Sequence, residues 1–137
     1  MTNRFERQER FFGRVGQDLL RQTRVAVVGA GGLGCHVVQQ LALLGVGHLA
    51  IIDSQEISET DRNRNVCART EDSIPGTAKV DIAARLAMSY GSPTSVEPIP
   101  KHLDTQPAFD AIKSSTHVFG CLDSEGARLI LTELCVA

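Results

Sequence analysis

The stretch Arg24–Gly34, RVAVVGAGGLG, decides how the rest of the chain is read. Its first half is a β-branched, apolar run ending at Gly29, the pattern of a strand buried on both faces. Its second half, Gly29-Ala30-Gly31-Gly32-Leu33-Gly34, matches GxGxxG. From there Leu33, Val37, Leu41 and Leu44 recur at helical spacing until Gly45 and Gly47 stop the helix. A strand, a glycine turn and a helix in that order offer a phosphate the free N–H groups and the positive end of the helix, and glycine lets the backbone come close. Asp53 closes the next strand, His48–Ile52, about twenty residues on, where a carboxylate accepts hydrogen bonds from ribose hydroxyls. Gly29, Gly31, Gly32, Gly34 and Asp53 are therefore the expected nucleotide-binding residues.

Outward from this unit the pattern repeats. Lys79–Met88 is a predicted helix with Thr77 near its N-cap, Ser95–Pro98 a short strand, and Gln106–Lys113 a helix. Thr116–Leu122 reads as another buried strand and Glu125–Val136 as the last helix. This alternation predicts an α/β fold, a Rossmann-like, mostly parallel sheet with helices on both faces. Residues 1–23 read as a helical arm held to the sheet by Phe5, Phe11 and Phe12, and residues 24–137 as the nucleotide-binding domain. Ser54–Ala78 breaks the rhythm; a polar connection of this length inside a compact domain points to function.

The chain has 137 residues, 42% hydrophobic and 22% charged, with a formal net charge of −2. That suits one folded domain and gives no basic field for nucleic acid or anionic lipid. Aromatic residues are only 4%, which argues against a base-stacking platform. No apolar run is long enough to span a bilayer, and the charged opening MTNRFERQERFFGR lacks the core of a secretory signal. Cys35, Cys67, Cys121 and Cys135 form no CxxC pair and read as reduced thiols of a cytoplasmic protein, with Cys35 and Cys121 buried. Zinc is not expected, and His36, His48, His102 and His117 form no ligand pattern.

The glycine turn alone is compatible with NAD, so an oxidoreductase fragment is one reading. A triphosphate needs more cations and a metal ligand. Arg62 and Arg64 follow Asp53 in the polar loop, Lys79 opens the next helix, and Asp123 stands after the last strand, where open α/β sheets bind ligands. Singly, a loop arginine is solvated and Asp123 caps a helix. Together they gather cations and a carboxylate at one sheet edge, which is what Mg-ATP requires.

From Arg4 to about Val136 the chain resembles the ThiF/MoeB/HesA family, relatives of the ubiquitin-activating enzymes. Arg4-Phe5-Glu6-Arg7-Gln8 is similar to the family's R-[YF]-x-R-Q, and Phe12-Gly13 with Gly16-Gln17 and Leu20 to its F-G-x-x-G-Q-x-x-L. The glycine turn, Leu44-Gly45-Val46-Gly47, Ile52-Asp53, Asn63-Arg64, Gly76-x-x-Lys79, and Asp123 with Arg128 follow in the family's order. The resemblance implies ATP-dependent adenylation of the C-terminal carboxylate of a ubiquitin-like or sulfur-carrier protein, with release of pyrophosphate. It implies that the turn around Gly32 lies against the nucleotide, that Asp53 holds the ribose, and that Arg64 and Lys79 bind phosphates. Asn63 joins this nucleotide-binding set, and Asp123 holds Mg²⁺. Arg7 is implied to reach the partner's ATP across a homodimer, to which apolar Leu129, Ile130 and Leu134 also point. Family members continue past the point where this chain stops, so the resemblance implies an incomplete sheet. Asp61 stands where the family carries Asn and adds a negative charge among the phosphates, with Arg62 placed to offset it. Asn65, Gly120 and Ser124 also depart from the pattern. These departures keep a non-catalytic, dimerising relative as a further alternative.

Overall fold

The structure is a computed structural model and describes residues 3–72 and 76–137. Met1 and Thr2 of the expected arm and residues 73–75 of the expected polar loop lie outside the described residues. The elements run α1 (Glu6–Gln22), β1 (Arg24–Val28), α2 (Gly32–Leu44), β2 (His48–Ile52), α3 (Lys79–Ser89), β3 (Ser95–Ile99), α4 (Gln106–Lys113), β4 (His117–Gly120) and α5 (Glu125–Val136). A single turn of 3-10 helix, Glu59–Asp61, lies between β2 and α3. The four strands form one parallel sheet in the order β3-β2-β1-β4. The expected α/β, Rossmann-like fold is what the chain adopts.

The strand sequences explain the layering, because side chains alternate between faces. Val25, Val27, Leu49 and Ile51 pack against Val38 and Leu41 of α2 and Val80, Ala83 and Ala84 of α3. Ala26, Val28, Ala50 and Ile52 face the other way, toward Ala108 and Ile112 of α4 and Leu131 of α5. Both faces of β1 and β2 are covered, as the unbroken apolar runs require.

Three sequence expectations are corrected here. The buried face of α2 carries Gly34, Cys35, Val38, Leu41 and Ala42, while Leu33 is 65% and Leu44 37% exposed. Gly34 is the reason: a Cβ there would stand 1.7 Å from the Gly29 carbonyl oxygen, so the helix lies on its smallest residues and Leu33 is turned outward. Strand β4 is shorter than Thr116–Leu122 and is not buried, because it is an edge strand with only β1 beside it. Helix α3 has Ala78, not Thr77, at its N-cap, with no side-chain cap; Ala78 bridges to Glu56 and Lys79 N–H donates to the Gln55 carbonyl instead.

Helix α1 bends at Gly13, whose φ of 77° only glycine adopts readily. Phe5 anchors it at 5% exposure, but Phe11 is 92% exposed and anchors nothing. The opening motif instead closes α2. Gln8 and buried Gln17 both donate to the Leu44 carbonyl, at 2.9 and 3.2 Å. Phe5 fills the space a Cβ on left-handed Gly45 would take. Arg4 donates to the carbonyls of Tyr90 and Gly91 past the end of α3.

Candidate functional site

At the carboxyl end of the sheet the chain leaves β1 for α2 on one face and β4 for α5 on the other. A cleft of about 490 Å³ opens there, at the reversal of strand order where open α/β sheets take ligands. Its walls come from the glycine turn, the end of β2, the polar loop, the start of α3, the segment after β3 and the β4–α5 junction. Most walls are strand ends or helix starts fixed by the sheet, and the polar loop adds Asp61 and Arg64.

The turn is built by its glycines in different ways. Gly29 has φ 100° and so little room that a Cβ would lie 2.5 Å from the Cys121 carbonyl oxygen. Gly31 is an N-cap with no side-chain cap, so the first-turn N–H groups of α2 remain open where Gly31, Gly32 and Leu33 line the cleft. Gly32 leaves room for the aliphatic part of Arg64, which a Cβ would meet at 3.3 Å. Gly34 lies outside the lining and serves helix–strand packing.

Asp53 binds the turn itself. Its Oδ2 accepts from Ala30 N–H and its Oδ1 from Gln55 N–H, each at 2.8 Å. Each oxygen keeps a lone pair for a further donor. Buried Asn65 completes the brace: its Nδ2 donates to the Ala30 carbonyl and its Oδ1 accepts from Cys67 N–H.

Lys79 is 7% exposed, and its ammonium donates to Gln55 Oε1 at 2.9 Å and pairs with Asp61 Oδ1 at 3.2 Å. The same oxygen takes Arg64 Nη2 at 3.1 Å, while Arg64 Nη1 donates to the Thr60 carbonyl of its own loop. Asp61 Oδ2 accepts from the N–H and hydroxyl of Ser58, at 2.9 and 2.6 Å. Burial of Asp61 pushes its carboxyl up. The Ser58 hydrogen bonds and Lys79 together outweigh that and hold it below the usual carboxylate range.

The structure thus brings Gly29, Gly31, Gly32, Asp53, Arg64, Lys79 and Asp123 to one cleft, with Asp61 among them. Asn63 is exposed outside the lining and touches only Arg64 among these, and Arg7 is exposed on α1, also outside it. Arg62 does not offset Asp61. It turns away to Glu59 and to the carbonyls of Arg69 and Asp72. Asp123 is exposed at the β4–α5 junction and is not the cap of α5; Ser124 takes that position and accepts from Ala127 N–H. Cys121 is half-buried at the cleft wall rather than inside a strand, and burial pushes its thiol up.

Several lining residues lie outside the sequence-predicted set: Gln55, Lys101, His102, Leu103 and Arg128. His102 Nδ1 is 2.7 Å from Asp104 Oδ1, and Arg128 Nε donates to the Leu122 carbonyl. The rule that ligands sit at carboxyl strand ends points to the segment after β3. The charged lining comprises Arg64, Lys79, Lys101 and Arg128 against Asp53, Asp61 and Asp123.

A parallel sheet with a glycine turn and cations at its reversal point is the arrangement of a Rossmann-like α/β domain, with its cleft where such sheets take ligands. The chain belongs to the ThiF family, whose family model matches residues 5–137. It is 33% identical over 123 residues to the SAMP-activating enzyme E1 of Haloferax volcanii, covering 90% of this chain and 45% of that protein. It is 37% identical over 125 residues to the adenylyltransferase and sulfurtransferase UBA4 of Eremothecium gossypii, covering 90% of this chain and 28% of that one. Among solved structures it is similar to the E. coli tRNA N6-threonylcarbamoyladenosine dehydratase TcdA in complex with ATP. That match has a TM-score of 0.77 and 25% identity and covers 88% of this chain and 49% of TcdA. The chain therefore spans half or less of each of these relatives.

Proposed function

We propose that this domain binds ATP in the cleft and that the protein adenylates a carboxylate, the C-terminus of a ubiquitin-like or sulfur-carrier protein. The observation that carries the reading is the convergence of uncapped turn N–H groups, Arg64 and Lys79 on one cleft that also contains Asp53 and Asp123. The relatives named as a SAMP-activating enzyme and an adenylyltransferase, and the ATP complex of TcdA, support it.

In this reading Asp53 takes the ribose hydroxyls with its remaining lone pairs, and the N–H groups of Gly31 and Gly32 meet the phosphates. The carboxylate attacks the α-phosphorus, an acyl–phosphate bond forms, and the bond to the β-phosphate breaks with departure of pyrophosphate. Such a reaction depends on position and charge more than on covalent help, and Lys79 and Arg64 supply the charge. The donor set fits Mg²⁺, which uses one or two carboxylates beside substrate phosphates; Asp123 would hold it, and it would neutralise phosphate charge. Among the described residues no group of three or more His, Cys, Asp or Glu forms a cage for an ion independent of substrate. Arg7 acts in trans in a homodimer, and the free thiols suit a cytoplasmic location. No helix of the described residues is long and apolar enough to cross a membrane.

Titration calorimetry with Mg-ATP and with NAD tests the nucleotide. ATP binding is expected; NAD binding without ATP binding would replace this reading with the oxidoreductase one. Pyrophosphate exchange into ATP, stimulated by a carrier protein, tests the chemistry, and ATP binding without exchange for any carrier would leave a non-catalytic relative.

A further inference from the structure

We propose that Asp61 is an internal counter-ion, held on Lys79, that occupies the phosphate-binding end of Arg64 until a polyphosphate takes Arg64 from it, and so sets how strongly the cleft prefers highly charged ligands. The inference deepens the ATP reading and rests on it for the identity of the natural ligand.

Asp61 is 4% exposed, yet it lines the cleft and sits between its two inner cations. One oxygen is spoken for by Ser58, through both its N–H and its hydroxyl. The other is shared by Arg64 and Lys79. The carboxylate is therefore held in place, and the question is which cation can leave it. Lys79 is 92% buried along its side chain and is also tied to Gln55 Oε1, so it stays. Arg64 has a side chain 55% exposed and is folded back onto Thr60 and Asp61 of its own loop. Its aliphatic part lies over Gly32 at the mouth of the turn, where a Cβ would crowd it. A polyphosphate arriving at the turn meets Arg64 within reach and exchanges with Asp61 for it. Lys79 keeps Asp61 and offers its third N–H donor to the ligand.

The exchange has a charge consequence. Arg64 and Lys79 bring two positive charges, and Asp61 cancels one before any ligand arrives. A fixed negative charge a few ångströms from a polyanion opposes it, more strongly in a cleft than in open water. The penalty scales with ligand charge and spares a neutral nucleoside. An Asn at this position would retain one amide oxygen for Lys79 and remove the opposing charge.

The test is calorimetric titration of tripolyphosphate, Mg-ATP and adenosine into the protein and its Asp61→Asn, Ser58→Ala and Arg64→Gln variants. Asp61→Asn is expected to tighten tripolyphosphate and ATP at least about ten-fold, to shift adenosine less than about two-fold, and to lose most of its gain in high salt. The gain disappears when Arg64→Gln is combined with it. Ser58→Ala loosens the carboxylate but keeps its charge, and is expected to give no such gain. Should Asp61→Asn not fold, Asp61→Ser is neutral too and must give the same charge-graded gain. Unchanged or weakened polyphosphate binding in a folded neutral variant overturns the proposal. So does an equal gain for adenosine, a gain reproduced by Ser58→Ala, or failure of every variant to bind tripolyphosphate. A gain for tripolyphosphate with no binding of Mg-ATP or adenosine upholds the counter-ion and removes the ATP reading instead.

Discussion

Burying an ammonium group costs several kcal/mol unless hydrogen bonds and an opposite charge compensate it. Lys79 meets that condition through Gln55 and Asp61, at the first residue of α3 and the wall of the cleft. Its removal should therefore show in both chemistry and stability. Lys79→Met is expected to lower carrier-stimulated pyrophosphate exchange on the order of 10²–10³-fold, read as an initial rate, because a positioned phosphate ligand is gone. It is also expected to destabilise the fold by about 3 kcal/mol in urea titration, because Asp61 stays buried with one cation fewer. Asp53, Lys79 and Asp123 were legible as cleft residues because each stands beside a strand end or at a helix start, and Arg64 because it follows Asp53 in the polar loop and fits the family's motif. The direction of Arg62 was not. Neighbouring arginines in one loop look alike in sequence, and only packing decides that one braces the Asp72 carbonyl while the other faces the cleft. Lys101 and His102 carry no motif, so the strand-end rule alone could have raised them.

Between β2 and α3 polar bracing joins the apolar contacts of Ile57 and Cys67, and Asp72 is one of its buried anchors. Its carboxylate takes two bonds from the Arg85 guanidinium, at 2.5 and 3.0 Å, and one from Arg69 N–H at 2.6 Å. The Arg85 bonds are the main reason its carboxyl is held below the usual range, against the upward push of burial. A carboxyl with a lower folded than unfolded value contributes stability that is complete at neutral pH. That contribution shrinks as pH falls through the ordinary carboxylate value of 3.8 and is gone below the folded value. Arg85→Met is expected to lower stability at pH 7 and to flatten its decline between neutral and acid pH, read as urea midpoints across that range. Elements were legible where one constraint rules: β1, β2, α4 and α5 lie where the periodicity puts them. The face of α2 was misread because leucine spacing took precedence over the glycine contact. That contact makes Gly34→Ala costly, by about 3 kcal/mol in thermal or urea unfolding, since backbone must move to admit a methyl group.

At the scale of the whole molecule, the covered faces of the sheet contrast with two uncovered apolar surfaces. One is α5, where Leu129 is 61% and Ile130 40% exposed, beside the open edge of β4; Leu134 there packs inward instead. The other is α1, where Phe11 before the bend at Gly13, and Val15 and Leu19 one turn apart after it, stand 92%, 74% and 61% exposed. Contiguous exposed apolar surface of this kind marks association. The sequence pointed to α5; the structure makes α1 the stronger surface, and Arg7 lies on that same helix. If the proposed homodimer forms through α1, Arg7 is carried to the interface, which a trans role requires. The expected result is a dimer in sedimentation velocity at micromolar concentration. Phe11→Glu with Val15→Lys should convert it to a folded monomer, and carrier-stimulated exchange should fall with it. Leu129→Glu should leave both unchanged. Arg7→Ala should reproduce the loss of exchange while preserving the dimer. A monomeric wild-type chain with full exchange activity removes Arg7 from the site, and a dimer broken only by Leu129→Glu moves the interface to the edge of β4.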